Sequence, residues 1–193
     1  MPDTTPSPAP TQRFSDRVDD YVRYRPSYPA AVMEAPREYA GLGPSSVVAD
    51  IGSGTGIFAL LLLRMCARVY GVEPNEAMRV AGERLLAGWT NFASVAGTAE
   101  ATGMPDASVD LVTAALRAFY GAGGYAASEF PNEQRFDLAG LRGRVLSSSY
   151  APNIGHPGHE ALMSELASLF GRHAQDGHVT FHYTTRLFVG RLS

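Results

Sequence analysis

Apolar and polar positions alternate in blocks that predict strands and helices in turn. Val47-Val48-Ala49-Asp50-Ile51 is a continuous, largely β-branched run, the pattern of a strand covered on both faces. Gly52, Gly54 and Gly56 follow at alternate positions, and the apolar stretch Ile57 to Leu63 then predicts a helix. The unit reads as strand, tight turn and helix start, with the amides of Thr55 to Phe58 free to face a ligand. Arg68 to Pro74 predicts a second short strand, ending in the acid Glu73. Glu76 to Gly88 predicts a helix with Met78, Ala81, Leu85 and Leu86 on its apolar face. Asn91 to Gly97 and Val109 to Ala115 predict two further strands. Such alternation from Val47 to Ala115 calls for a largely parallel sheet with right-handed crossovers.

The flanks carry weaker patterns. Residues 1–12 hold four prolines and predict a disordered tail. Phe14, Val18, Tyr21 and Val22 fall at helical spacing; Pro26 ends that helix, and Pro29 opens a second, to about Gly41. Downstream, Glu133 to Phe136 predicts a short strand, and Asp137 caps a helix carrying Leu138, Leu141, Val145 and Leu146. A helix from Gly158 to Gly171 is expected to bury Leu162, Leu166, Leu169 and Phe170. Val179 to Val189 alternates strictly enough to predict a strand with one packed face. Trp89 is expected to pack at the core or its edge, and His173, His178 and His182 to lie at the surface.

Composition narrows the function classes. The chain has 193 residues, 45% hydrophobic and 18% charged, with net charge −3 and pI near 5.9. Residues 13–193 are expected to form one domain. The charge offers no electrostatic footprint for nucleic acid. No apolar run is long enough to span a bilayer, and no leader pattern opens the sequence. The single Cys66 excludes an internal disulfide and fits a reducing, cytoplasmic setting. His156-Pro157-Gly158-His159 supplies two histidines without a third ligand nearby, so no metal site is expected. The expected partner is a small molecule, and the expected state a monomer or weak homodimer.

The glycine turn carries the chemistry. A phosphate-cradling loop ends in Gly-Lys-Ser/Thr, but Gly56 is followed by Ile57 and Phe58. The dinucleotide fingerprint is Gly-x-Gly-x-x-Gly, and this turn is one residue shorter. Asp50 repels phosphate and welcomes a cation, as the sulfonium and ammonium of S-adenosylmethionine are. Glu73 lies 21 residues after Gly52 and 17 after Gly56, the spacing of a carboxylate that accepts both ribose hydroxyls. Both S-adenosylmethionine and NAD need such a group, so Glu73 supports an adenosine ligand without choosing between them.

Asp50 followed by Gly52, Gly54 and Gly56 resembles motif I of class I S-adenosylmethionine-dependent methyltransferases. Met104-Pro105-Asp106-x-Ser108-x-Asp110 resembles that family's lead-in to its fourth strand. The resemblance implies an α/β, doubly wound, mostly parallel sheet with an antiparallel C-terminal strand, binding S-adenosylmethionine at the strand tips. It implies cofactor contacts from Asp50, Gly52, Ser53, Gly54 and Gly56 in the loop, and from Glu73, Pro74 and Met78 after the second strand. Thr98, Ala99 and Glu100 fall where the adenine edge is read, Thr98 replacing a frequent aspartate. Tyr21-x-x-Tyr24-Arg25-Pro26-x-Tyr28-Pro29 resembles the N-terminal lid of one subgroup. Tyr21 and Arg25 are its candidates, Arg25 for the cofactor carboxylate; the bland alternative is an amphipathic helix with solvated charges.

After Ala115 the resemblance breaks, as if about one βα unit and an adjacent helical insert were missing near 115–117. No general base is assigned, because the segment that usually supplies the substrate side is absent. A bare edge at Val109–Ala115 calls for a partner, and Val179–Val189 is expected to pair with it, antiparallel, in a sheet of at most six strands. The expected function is methyl transfer to a small-molecule acceptor. A cofactor-binding remnant without catalysis and an NAD-linked oxidoreductase are the alternatives.

Overall fold

Residues 18–114, 125–148 and 150–190 are described in a computed structural model of the chain. The tail expected at residues 1–12 and the break expected near 115–117 lie outside the described residues. The first half builds a four-stranded parallel sheet from β1 (Val47–Ile51), β2 (Arg68–Val72), β3 (Phe92–Val95) and β4 (Leu111–Ala114), in the order β3-β2-β1-β4. The chain steps outward from β1 to β2 to β3, then returns to the opposite side of β1 for β4. The carboxyl ends of β1 and β4 therefore form the switch point where open α/β sheets bind ligands.

Both faces of the sheet are covered, which is why β1 and β2 read as apolar runs. On one face, α3 (Ala59–Leu63) packs Leu62 and Leu63 against Val48 and Val69, joined by Val32, Met33 and Leu42 from the N-terminal segment. Cys66 is buried in this cluster, and burial pushes its thiol pKa up, so it is an inert packing group. Trp89 packs on the rim of the same cluster. On the other face, Ala49, Ile51 and Val72 meet Ala99, Met104 and Val109. Helix α4 (Glu76–Leu85) is capped by Asn75, whose side chain accepts the Met78 amide at 3.0 Å. Its Met78 and Ala81 pack on Val18 of α1 (Val18–Tyr24). Leu86, just after α4, is fully buried, whereas Leu85 is 40% exposed and lies off the expected apolar face. Between α1 and β1, a short 3-10 helix (Ala30–Met33) and α2 (Glu34–Ala40) replace the single helix expected there.

The C-terminal half departs from expectation. Val179–Val189, here β6, does not pair with β4. It pairs antiparallel with β5 (Ala126–Phe136) over eleven residues, from Ala126↔Val189 to Phe136↔Val179, as a separate two-stranded sheet. The expected strand at Glu133–Phe136 is only the last third of β5. The physical reason is length: β5 offers an eleven-residue ladder, whereas β4 has four residues. Pro131 is compatible with β5 because that strand has an unpaired edge for the missing N–H. Phe130 and Leu187 anchor the hairpin on the first core cluster. Among the described residues the parallel sheet ends at β4.

The long connection between β5 and β6 holds α5 (Leu138–Leu146) and α6 (Gly158–His173). Asp137 caps α5 by accepting the Gly140 amide at 2.7 Å. Leu162, Leu166 and Phe170 of α6 are half-buried, but Leu169 is 40% exposed, contrary to expectation. His159 is the buried residue of α6, its Nδ1 sharing a 3.0 Å hydrogen bond with the Pro152 carbonyl. His156 Nδ1 accepts the Gly158 amide at 3.0 Å. Both histidines thus secure the entry to α6.

Helix α1 lies against α5, where the Tyr24 ring occupies the space a side chain at Gly143 would need. Gly143→Leu is expected to displace Tyr24 and destabilise the fold by about 1–3 kcal/mol, the range for overpacking a close contact. Urea unfolding monitored by circular dichroism checks it; an unchanged midpoint would show that the α1–α5 contact yields without cost.

Candidate functional site

The turn after β1 owes its shape to its glycines. Gly52, Gly54 and Gly56 have φ of 72°, 57° and 79°, in the left-handed region that side chains resist. The Gly52 and Ser53 amides donate to the Val72 carbonyl at 2.8 and 3.2 Å, tying the turn to the end of β2. Gly56 donates to the Ser53 carbonyl at 2.9 Å, so of the amides expected to face a ligand, Thr55 to Phe58, that of Gly56 is already engaged. The helix begins only at Ala59, later than the apolar run from Ile57 implied. A Cβ on Gly56 would meet Leu86 Cδ1 at 2.6 Å, whereas one on Gly54 would meet nothing within 4 Å.

Gly54 and Gly56 are therefore constrained differently. Gly54 is required for its φ and for the open space above it, not for packing against the protein. Gly54→Val is expected to abolish S-adenosylhomocysteine binding while keeping the helical circular dichroism. Gly56→Val is expected to lower the melting temperature first, because Leu86 cannot move out of the core. Normal binding by Gly54→Val would reduce the loop to a turn.

Asp50 sits at the switch point. It is 5% exposed, and its Oδ1 accepts the Thr113 hydroxyl of β4 at 2.7 Å, across the register pair Asp50↔Thr113. Its Oδ2 is buried without a hydrogen-bond partner. Burial raises its pKa to about 7, with Glu73 pushing the same way and the Thr113 hydrogen bond opposing. Glu73 lies at the tip of β2. Its Oε2 accepts the Gly54 amide at 3.0 Å and its Oε1 the Asn75 amide at 2.9 Å. Arg79 holds this corner from behind, donating to the Glu73 and Pro74 carbonyls at 3.0 and 2.9 Å.

Asp50, Gly52, Ser53 and Gly54 line a cavity of about 570 Å³, together with Tyr21 and Arg25. That volume is within the usual range for small-molecule sites. Its roof is the strap Arg25–Tyr28, which follows α1, and its far wall is β6 from Tyr183 onward. Sequence reasoning had not selected Tyr28, Phe58, Thr113, Asn132 or Tyr183, all of which line it. Tyr28 stacks edge-on against Phe58 at 5.0 Å between centroids. Burial and the nearby Asp50 carboxylate raise the pKa of its phenol. The strap is fastened to β5: Asn132 donates to the Ser27 carbonyl at 2.7 Å, and Gln134 to the Tyr24 carbonyl at 3.4 Å. Tyr183 in turn donates to Gln134 Oε1 at 3.2 Å.

The remaining candidates lie outside the cavity lining. Glu73 reaches it only through its bond to Gly54. Pro74 is exposed beside Glu73, and Met78 is buried against Val18 and Ala81. Ala99 packs against Ile51 and Val72. Thr98 forms a turn in which its amide donates to the Ala101 carbonyl and its hydroxyl accepts the Ala101 amide. Glu100 is exposed, its pKa lowered by its own backbone N–H and by the Thr98 hydroxyl.

A glycine turn thus lies at a switch point of an α/β sheet, flanked by carboxylates on two neighbouring strand tips. Residues 49–120 match a family model described as a methyltransferase domain. No match is found among curated proteins. Among solved structures, the chain is similar to a proposed type II methyltransferase from Anaeromyxobacter dehalogenans, with 18% identity and a TM-score of 0.61. That match covers 86% of this chain and 98% of the other, and shows the fold. It is also similar to phosphoethanolamine N-methyltransferase 1 of Haemonchus contortus, solved with phosphoethanolamine and S-adenosylhomocysteine (23% identity, TM-score 0.43, 54% of this chain and 23% of that one). CcbJ methyltransferase of Streptomyces caelestis matches at 23% identity and TM-score 0.45, over 60% of this chain and 49% of the other. The matches thus span less than half the length of these two proteins. Residues 49–120 thus resemble a methyltransferase domain, and the fold is the Rossmann-like methyltransferase fold. No described helix is long and apolar enough to cross a membrane.

Proposed function

We propose that the chain transfers a methyl group from S-adenosylmethionine to a small-molecule acceptor in the cavity beneath the Arg25–Tyr28 strap. The observation that carries this reading is Asp50, a buried carboxylate at the switch point with one oxygen unpartnered. Such an oxygen is costly to leave unpaired and favours a cationic ligand over a phosphate. Open space over Gly52 and Gly54 leaves room for the ligand to approach the backbone. The residues present therefore fit the cofactor.

In this reading Asp50 takes the ammonium group, and Ser53 and the glycine backbone line its methionine portion. Tyr21 and Arg25 cover that end, Arg25 donating to the carboxylate. Glu73 has further lone pairs available for the ribose hydroxyls beside the amides it already accepts. Pro74, Met78, Thr98, Ala99 and Glu100 flank the adenosine end. When bound, the cofactor supplies an electrophilic methyl group on a sulfonium. The protein's part is to align an acceptor with it and to keep water out. Tyr28 holds its proton through neutral pH, so it serves as a hydrogen-bond donor in the cavity and not as a base.

One observation favours a second reading, a binding domain with little turnover. The described parallel sheet stops at β4, and the wall beyond is the edge of a separate hairpin. Calorimetric titration with S-adenosylhomocysteine and with NAD tests the ligand; binding of NAD alone would overturn the proposal. Transfer of labelled methyl groups to a panel of small acceptors then separates enzyme from binding domain, and ordinary turnover would defeat the second reading.

A further inference from the structure

The charges around the cavity do not balance. Arg25 lines it, with its guanidinium carbon 4.6 Å from the centre of the Tyr21 ring. Its Nε is buried without a hydrogen-bond partner. Arg186, the other arginine on the wall, is neutralised by Glu129 at 2.8 Å. Behind Arg25 stands a second cation. Tyr24 rests on Gly143, and the next residue, Arg144, does not line the cavity but is near enough to act on Arg25 electrostatically. Arg144 Nε is also buried and unpartnered, and its Nη1 reaches only Ser147 Oγ at 3.4 Å. Neither arginine has an acidic partner among the described residues. Burial lowers the Arg25 pKa, and Arg144 adds to that effect. Tyr183, which also lines the cavity, is near enough to act on Arg25 electrostatically.

Two partly buried guanidinium groups without a counter-ion repel each other. An oxyanion relieves the repulsion and accepts the unused N–H groups in the planar fork geometry that arginine offers. One arginine suffices for the cofactor's own carboxylate, through one edge of its guanidinium. The Nε edge of Arg25 remains, and Arg144 adds an unbalanced charge behind it. We infer that the methyl acceptor is an oxyanionic small molecule, whose carboxylate or phosphate is held by Arg25 with the charge of Arg144 behind it. This rests on the methyl-transfer reading and names the substrate class of the same site.

The test is calorimetry on the full chain saturated with S-adenosylhomocysteine, titrated with succinate, with glycerol phosphate and with neutral dimethyl succinate. The expected result is binding of one or both anions and none of the diester. Arg144→Gln is expected to weaken anion binding at least 10-fold, and Arg144→Lys to recover part of it. Both variants should keep the wild-type melting temperature and S-adenosylhomocysteine affinity. Succinate against glycerol phosphate tells carboxylate from phosphate. Anion binding unchanged in Arg144→Gln, equal binding of the diester, or no binding of either anion to the loaded protein would each overturn the inference while leaving the cofactor reading intact. A wild-type chain that does not bind S-adenosylhomocysteine would overturn the cofactor reading itself.

Discussion

Glu73→Ala is expected to weaken S-adenosylhomocysteine binding by roughly 10- to 100-fold. Hydrogen bonds to a charged acceptor are worth about 1.5–3 kcal/mol each and add incompletely when they share one group. The ribose diol would lose both. The structure adds a second loss: Glu73 Oε2 also holds the Gly54 amide, so the substitution frees the turn that the ligand must sit on. Glu73→Gln separates the two effects. Its carbonyl oxygen can still accept one amide but carries no charge, so an intermediate loss is expected. Calorimetry showing unchanged affinity for Glu73→Ala, with the fold intact, would remove Glu73 from the ribose.

The affinity for S-adenosylhomocysteine should also depend on pH through Asp50. In the free protein Asp50 titrates at about 7, because burial disfavours its charge. A bound ammonium favours the ionised form and so lowers the pKa in the complex. Binding then requires the carboxylate: affinity is full above pH 7 and falls roughly 10-fold for each pH unit below it, until the pKa of the complex is reached. Asp50→Asn should weaken binding at pH 8 and flatten the profile between pH 6 and 8. A flat profile for the wild-type protein would show that Asp50 does not meet a cation. The stability of the free protein moves the other way. The folded-state pKa lies above the unfolded one, so the folded state holds the extra proton between about pH 4 and 7. Asp50 therefore costs stability as pH rises through that window, and Asp50→Asn should raise the melting temperature more at pH 8 than at pH 4.

The parts legible in the sequence were those built from neighbours along the chain. The strand–turn–helix around Gly52–Gly56 needs only local residues, and Asp50 and Glu73 mark strand tips. The four parallel strands, the cap at Asp137 and the boundary at Pro26 follow for the same reason. The cavity's roof and far wall were not legible, since Asn132 meets Ser27 across 105 residues and Gln134 meets Tyr24 across 110. Nothing in the spacing of amides on one strand reveals a strap docked from the other end of the chain. Thr113 is different: once Asp50 and Leu111–Ala114 are set as parallel neighbours, the register brings a hydroxyl opposite the acid. The misassigned pairing of Val179–Val189 came from weighing the bare edge of β4 alone. A four-residue edge cannot compete with an eleven-residue antiparallel ladder, and the residues from Ala126 had not been read as strand.

That ladder also sets an order of events during folding. The contacts of β1 with β2 and of β2 with β3 join segments close in sequence, while β5 and β6, like β1 and β4, meet only after a longer loop closes, at an entropic cost that local contacts do not bear. The strands β1 to β3 with the glycine turn are thus the early part of the molecule. The hairpin that holds the strap over Asp50 forms late and opens early. Amides of Tyr183 to Val189 should accordingly exchange with solvent through smaller openings than those of Val48 or Val69, so that the roof over the cofactor detaches while its floor stays folded.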